Sequence, residues 1–201
     1  MLRLRAVSDS EAKGYVKDVF DAKRAKGGVP DLHRVLALRP EVLRARETLR
    51  NAVSDGTTSL GRRREEMLHF FVATLGSCIG CVIPHGQNFC TIAGVDKKVA
   101  VQIGLDWTKA GLDGQDQAVL AFAEKLTHDH PNVGKSDLEK LRKAGFSDDN
   151  ILDIITIVSY RNFSNRLHMA IGCSDPENIA KPDPELMQMV ERRRSAPARA
   201  R

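Results

Sequence analysis

The sequence predicts an all-α protein, and three observations carry that prediction. Apolar residues recur at helical spacing through almost the whole 201 residues. No alternating strand pattern runs longer than a few residues. The chain has only one Trp, two Tyr and seven Phe, so its core must be built from Leu, Ile, Val and Ala, a set that suits packed helices better than a β-sandwich.

The elements follow in order. Ser8 to Lys26 reads as an amphipathic helix with Val16, Val19 and Phe20 on one face and Gly27-Gly28 as its stop. Pro30 and Pro40 bracket a short apolar piece, Leu32 to Leu38. A helix with proline in its first turn then runs from Pro40 to Val53. After Asp55-Gly56, Thr57, Thr58 and Ser59 offer caps for a helix over about 60–76. Gly76 interrupts, and a helix carrying cysteines continues to Ala93-Gly94. Asp96 to Leu105 is a shorter helix, and Gln115 to His128 has apolar residues at 119, 122, 123 and 126. Ser136-Asp137-Leu138-Glu139 reads as a capping box for a helix ending near Gly145. Ser147-Asp148-Asp149 starts the last long helix. Its residues Ile151, Leu152, Ile154, Ile155, Ile157 and Val158 are apolar nearly all round, which predicts the buried central helix.

One domain over residues 1–190 is the simplest organisation, with a core around the cysteines at about 58–125. Residues 191–201 hold five arginines and one glutamate, +4 of the chain's +5, and read as a basic, disordered tail. The body is therefore near neutral, and nucleic-acid binding is not expected. The first residues have no apolar leader region, and no apolar run approaches the length of about 18 that a membrane span needs. A cytoplasmic protein without membrane contact is the expectation. In a reducing compartment four cysteines point to catalysis or metal binding more than to structural disulfides. No G-x-G-x-x-G or Walker loop occurs, so no nucleotide cofactor is expected.

The informative segment runs from Glu65 to His85. On a helix, Cys81 and His85 are four residues apart and share a face, and Cys78, three before Cys81, falls on it too. Pro84 is tolerated if the helix begins near Ile79. A thiol must become a thiolate to attack, and a helix N-terminus, His85 and the second cysteine could each lower its pKa. Attack by Cys81 on a hydroperoxide would give a sulfenic acid, which Cys78 could convert to a disulfide for an external dithiol to reduce. Glu66, on the preceding helix, could orient His85 or relay its proton if the two helices fold back on each other. His69 shares the Glu66 face. His168, Cys173 and Trp107 read as core or surface residues, and His128 and His130 as helix-end residues.

The spacing E-x11-C-x2-C-x3-H, given by Glu66, Cys78, Cys81 and His85, resembles the signature of the AhpD-like alkylhydroperoxidases in the carboxymuconolactone decarboxylase superfamily. Gly28-Val29-Pro30-Asp31-Leu32, Leu38-Arg39-Pro40-Glu41, Phe163-Ser164-Asn165-Arg166-Leu167 and Ala170-Ile171-Gly172 are similar to flanks of its peroxidase-related branch. The resemblance covers about residues 25–175. It implies an AhpD-like helical bundle with the CxxC at the start of a core helix, assembled as a trimer or hexamer. It further implies Cys81 as the peroxidatic cysteine, Cys78 as the resolving one, Glu66 with His85 as a proton relay, and no cofactor. A hydroperoxide and a dithiol or disulfide-exchange protein would be the partners. Where the best-studied branch has a histidine between the cysteines, this chain has Gly80.

Two other readings use the same residues. Cys78, Cys81 and His85, with Glu66 or Cys90, have the ligand types of a structural zinc site. Cys90 would point about 140° from His85 on a continuous helix and so leave such a site, as a packed core thiol. Alternatively, Glu66 and His85 could serve as the acid–base pair of a lyase or isomerase acting on a small organic acid.

Overall fold

The computed structural model describes residues 2–179 and 181–195. Among them are ten α-helices and no strand. The helices are α1 (Gly14–Arg24), α2 (Asp31–Leu36), α3 (Pro40–Ala52), α4 (Gly61–Leu75), α5 (Ile79–Thr91), α6 (Lys97–Asp106), α7 (Gly114–His128), α8 (Lys135–Lys143), α9 (Asp148–Ile171) and α10 (Pro184–Ser195).

The central helix is α4, not α9. Every residue of α4 from Glu65 to Leu75 is buried, and α4 packs against α5, α9, α7 and α6. On α9 one stripe of Ile151, Ile154, Ile157 and Val158 is buried, while Leu152 is 63% and Phe163 is 43% exposed. The charge run at the start of α4 hides its centrality. Arg63 and Arg64 both pair with buried Asp116 of α7, and Arg62 pairs with Glu65 and Glu66. Glu65, fully buried, also accepts from Gly56 N at 2.8 Å and from Thr58 Oγ1 at 3.0 Å, closing the turn before α4. A buried charge is tolerable when it is paired and hydrogen-bonded in this way.

The main apolar core joins α4 to α10. A smaller one gathers α1, α2 and α3 with Ile171 and Cys173.

Several predicted boundaries shift. Helix α1 begins at Gly14 rather than Ser8, because Ser8 closes a local turn with Glu11 (2.8 Å) while Val7 N donates to Arg34 O at 3.0 Å. Helix α8 starts after Gly134, whose N–H donates to Asp137 Oδ2 at 3.0 Å, so Ser136 is not the cap. Ser147 does cap α9, where its Oγ accepts from Asn150 N. Helix α10 extends into the segment assigned to a tail. Arg193 is 5% exposed and donates to Gly104 O at 3.0 Å, and Arg194 donates to Ser77 O at 2.7 Å. Residues 196–201, the rest of the expected tail, lie outside the described residues. No helix among the described residues is long and apolar enough to cross a membrane.

Candidate active site

The α4–α5 connection is a tight one. Gly76 ends α4, Ser77 takes a left-handed conformation (φ 51°), and Cys78 is the N-cap of α5. Gly76 is required by its neighbour, since a Cβ there would stand 2.5 Å from Asn165 Nδ2. That amide donates to Val72 O at 2.9 Å and so holds α9 against the end of α4. Cys78 N donates to Ala73 O, and Cys78 O accepts from Cys81 N and Val82 N, which starts the new helix. Pro84, the sixth residue of α5, leaves the Gly80 carbonyl without its usual helical donor.

Cys78 and Cys81 are joined by a disulfide. Cys78 is fully buried, and Ser174 Oγ lies 3.0 Å from its sulfur. Cys81 lines a cavity of about 300 Å³ together with Gly80, His85, Arg161 and His168. A second cavity, of about 530 Å³, shares Pro30, Leu32, Gly80, Pro84 and His168 with the first.

Behind the cavity wall a polar chain crosses from α4 to α9. Glu66 Oε2 lies 2.8 Å from His85 Nδ1, and its Oε1 accepts from Arg62 at 2.7 Å and Asn88 at 3.2 Å. His85 Nε2 lies 2.6 Å from Arg161 Nη2, which also reaches His69 Nδ1 at 3.2 Å. His69 Nε2 in turn meets Val53 O at 2.9 Å. A guanidinium can only donate, so both imidazoles accept from Arg161. His85 must then carry its proton on Nδ1 and give it to Glu66. Burial, reinforced by the Arg161 charge, pushes His85 and His69 well below the usual imidazole range, and both rings are neutral at neutral pH. Burial also raises the Glu66 carboxyl, against the pull of Arg62.

The backbone path matches known proteins. A crystal structure of an alkylhydroperoxidase AhpD core, an uncharacterised peroxidase-related protein from Ralstonia eutropha JMP134, superimposes with a TM-score of 0.77 at 26% identity, over 94% of this chain and 96% of that one. The chain belongs to the AhpD-like superfamily. An uncharacterised peroxidase-related protein from Silicibacter sp. TM1040 gives a TM-score of 0.73 at 24% identity, covering 94% of this chain and 99% of that one. The debrominase Bmp8 shares the fold at 14% identity, with a TM-score of 0.67 over 92% and 95% of the two chains. No family model matches the chain, and no curated protein does.

On this AhpD-like scaffold the four residues singled out from spacing fall into two contacting pairs, Cys78 with Cys81 and Glu66 with His85. Cys81 and His85 line one cavity. The zinc set drawn from sequence is not what the fold assembles. Both nitrogens of His85 are engaged, Cys90 packs against the apolar core, and the imidazole grouped with the two sulfurs is that of His168. Sequence reasoning missed His168, Arg161 and Ser174. All three come from α9 or the loop after it, and Ser174 stands 96 residues from its partner Cys78. The only available signal was that His168 directly follows the Phe163–Leu167 segment of the family resemblance.

Proposed function

We propose that this AhpD-like protein is a thiol-dependent peroxidase that reduces organic hydroperoxides through Cys81 and Cys78. The observation that carries this reading is the Cys78–Cys81 bond, with Cys81 on a cavity wall and Cys78 buried behind it. The peroxidase-related names of the Ralstonia and Silicibacter proteins agree with it.

In the reduced form the Cys81 thiolate attacks the distal peroxide oxygen. A sulfur–oxygen bond forms, the O–O bond breaks, and the alkoxide leaves as an alcohol once protonated. The Cys78 thiol then displaces hydroxide from the sulfenic acid, giving water and the disulfide. Position in the first turn of α5 favours the thiolate, as does a guanidinium on the cavity wall. Glu66 and His85 form the relay that joins a buried carboxyl to that guanidinium. A dithiol or a disulfide-exchange protein returns the pair to the reduced state by thiol exchange. The setting proposed is the cytoplasm and a homo-oligomer, trimeric or hexameric.

The test is steady-state reduction of an alkyl hydroperoxide with dithiothreitol as donor. Cys81→Ser should fall to background, while Cys78→Ser treated with one equivalent of hydroperoxide without dithiothreitol should hold Cys81 as a sulfenic acid that dimedone traps. Full turnover by Cys81→Ser would remove the assignment.

A further inference from the structure

Between the two cysteines stand Ile79 and Gly80, so the pair contains no proton-carrying side chain of its own. An imidazole reaches it from α9. A ring nitrogen of His168 and the sulfurs of Cys78 and Cys81 all lie within 4.8 Å of one another. The bare backbone at Gly80 is what lets the other elements close in. A Cβ there would stand 2.9 Å from Cys173 O, 3.0 Å from Ser174 Oγ and 3.5 Å from His168 Nδ1. His168 Nδ1 is sealed from solvent and has no hydrogen-bond partner among the described residues. His85, by contrast, has Nδ1 committed to Glu66 and Nε2 to Arg161. A buried polar atom left unbonded in one state is a costly feature, and it is explained if another state supplies its partner.

We propose that His168 is the proton carrier at the sulfur end of the site, an inference that rests on the peroxidase reading above. It takes the proton of the Cys81 thiol as the thiolate forms. When sulfur bonds to the distal oxygen and the O–O bond breaks, His168 returns that proton to the alkoxide, which leaves as the alcohol. In the second step the Cys78 proton passes by the same ring to the hydroxide released as the S–S bond closes. Two electrons go from the two sulfurs to the peroxide, and every proton is accounted for.

The surroundings suit that role. Burial, together with Arg46 of α3, Arg161 of α9 and His33 of α2, pushes His168 down to about 3 in the disulfide form. Cys78 and Cys81 of α5 also face it, and His85 of α5 lines the same cavity. The ring is therefore neutral and able to accept. Reduction brings a thiolate beside it, which favours the imidazolium, and an imidazolium formed there is acidic enough to release its proton promptly to an alkoxide.

Two measurements test this on the reduced protein. Alkylation of Cys81 by iodoacetamide, followed by peptide mass spectrometry from neutral to strongly alkaline pH, should be about tenfold slower at pH 7 in His168→Gln than in the unmutated protein. The two rates should converge once the thiolate is fully formed, which mere structural damage would not produce. In the unmutated protein, nitrogen-detected titration of the His168 ring should show a higher midpoint in the dithiol form than in the disulfide form. Superimposable alkylation profiles, or a His168 midpoint indifferent to reduction, would overturn the assignment. Neither readout uses peroxide, so both judge His168 separately from peroxide turnover. Turnover in the unmutated protein alongside unchanged alkylation in His168→Gln removes this inference alone.

Discussion

Arg161 is 5% exposed, and among the described residues it donates to two neutral imidazoles, those of His69 and His85. Burial lowers it to about 10, which still leaves it charged at neutral pH, with the Glu66 carboxylate one imidazole away. Glu66 reaches that guanidinium through His85, and Glu66→Gln should disturb the relay while keeping the side-chain shape. Peroxide turnover at pH 7 in that variant should drop about a hundredfold, read as kcat/KM in the dithiothreitol assay. A variant indistinguishable from the unmutated protein would take Glu66 out of the relay. At this scale sequence found what local spacing can encode. Cys78, Cys81 and His85 lie within eight residues, and Glu66 one helix earlier. Arg161 and His168 could not be found that way, because only the packing of α9 on α4 and α5 brings them to the cysteines.

Among the elements, most of α3 to α9 was legible because each shows its apolar period and a recognisable stop. The misreadings share one cause, tertiary partners overriding a local signal. Five consecutive charges, Arg62 to Glu66, hide the burial of α4, because their partners, Asp116 and the turn at Gly56, come from other parts of the chain. The α4–α5 joint gives an expected outcome of its own. Gly76→Ala would press a methyl onto Asn165 and should cost about 1–3 kcal/mol in urea unfolding. Helix α10 gives another. Arg193→Ala should lose about 1–3 kcal/mol by breaking the buried bond to Gly104 O, whereas exposed Arg192→Ala should stay within about 0.5 kcal/mol. Equal effects for the two arginines would contradict the docking of α10.

Across the molecule four histidines are buried or half-buried. His33, His69, His85 and His168 are each held below the usual imidazole value of 6.5, chiefly by burial. Below pH 6.5 the unfolded chain takes up protons that the folded chain refuses, so the slope of stability against pH is positive there. Thermal stability of the disulfide form should therefore fall as pH is lowered from about 6.5 to 5, with each such histidine contributing up to about 1.4 kcal/mol per pH unit. A melting temperature flat over that window would show that these rings protonate in place. The all-α class was legible from composition and period alone. What sequence could not show was that the basic C-terminal residues begin as a docked helix, because Arg193 looks like any tail arginine until Gly104 O is beside it.

The proposed activity requires Cys78 and Cys81 to act together as a reversible dithiol. The most direct measurement is a thiol count on fully reduced protein before and after one equivalent of an alkyl hydroperoxide, with peptide mapping of the product. The expected result is a fall from four free thiols to two, with the new bond between Cys78 and Cys81 and with Cys90 and Cys173 still free. Four thiols remaining, or a bond that includes Cys90 or Cys173, would contradict it.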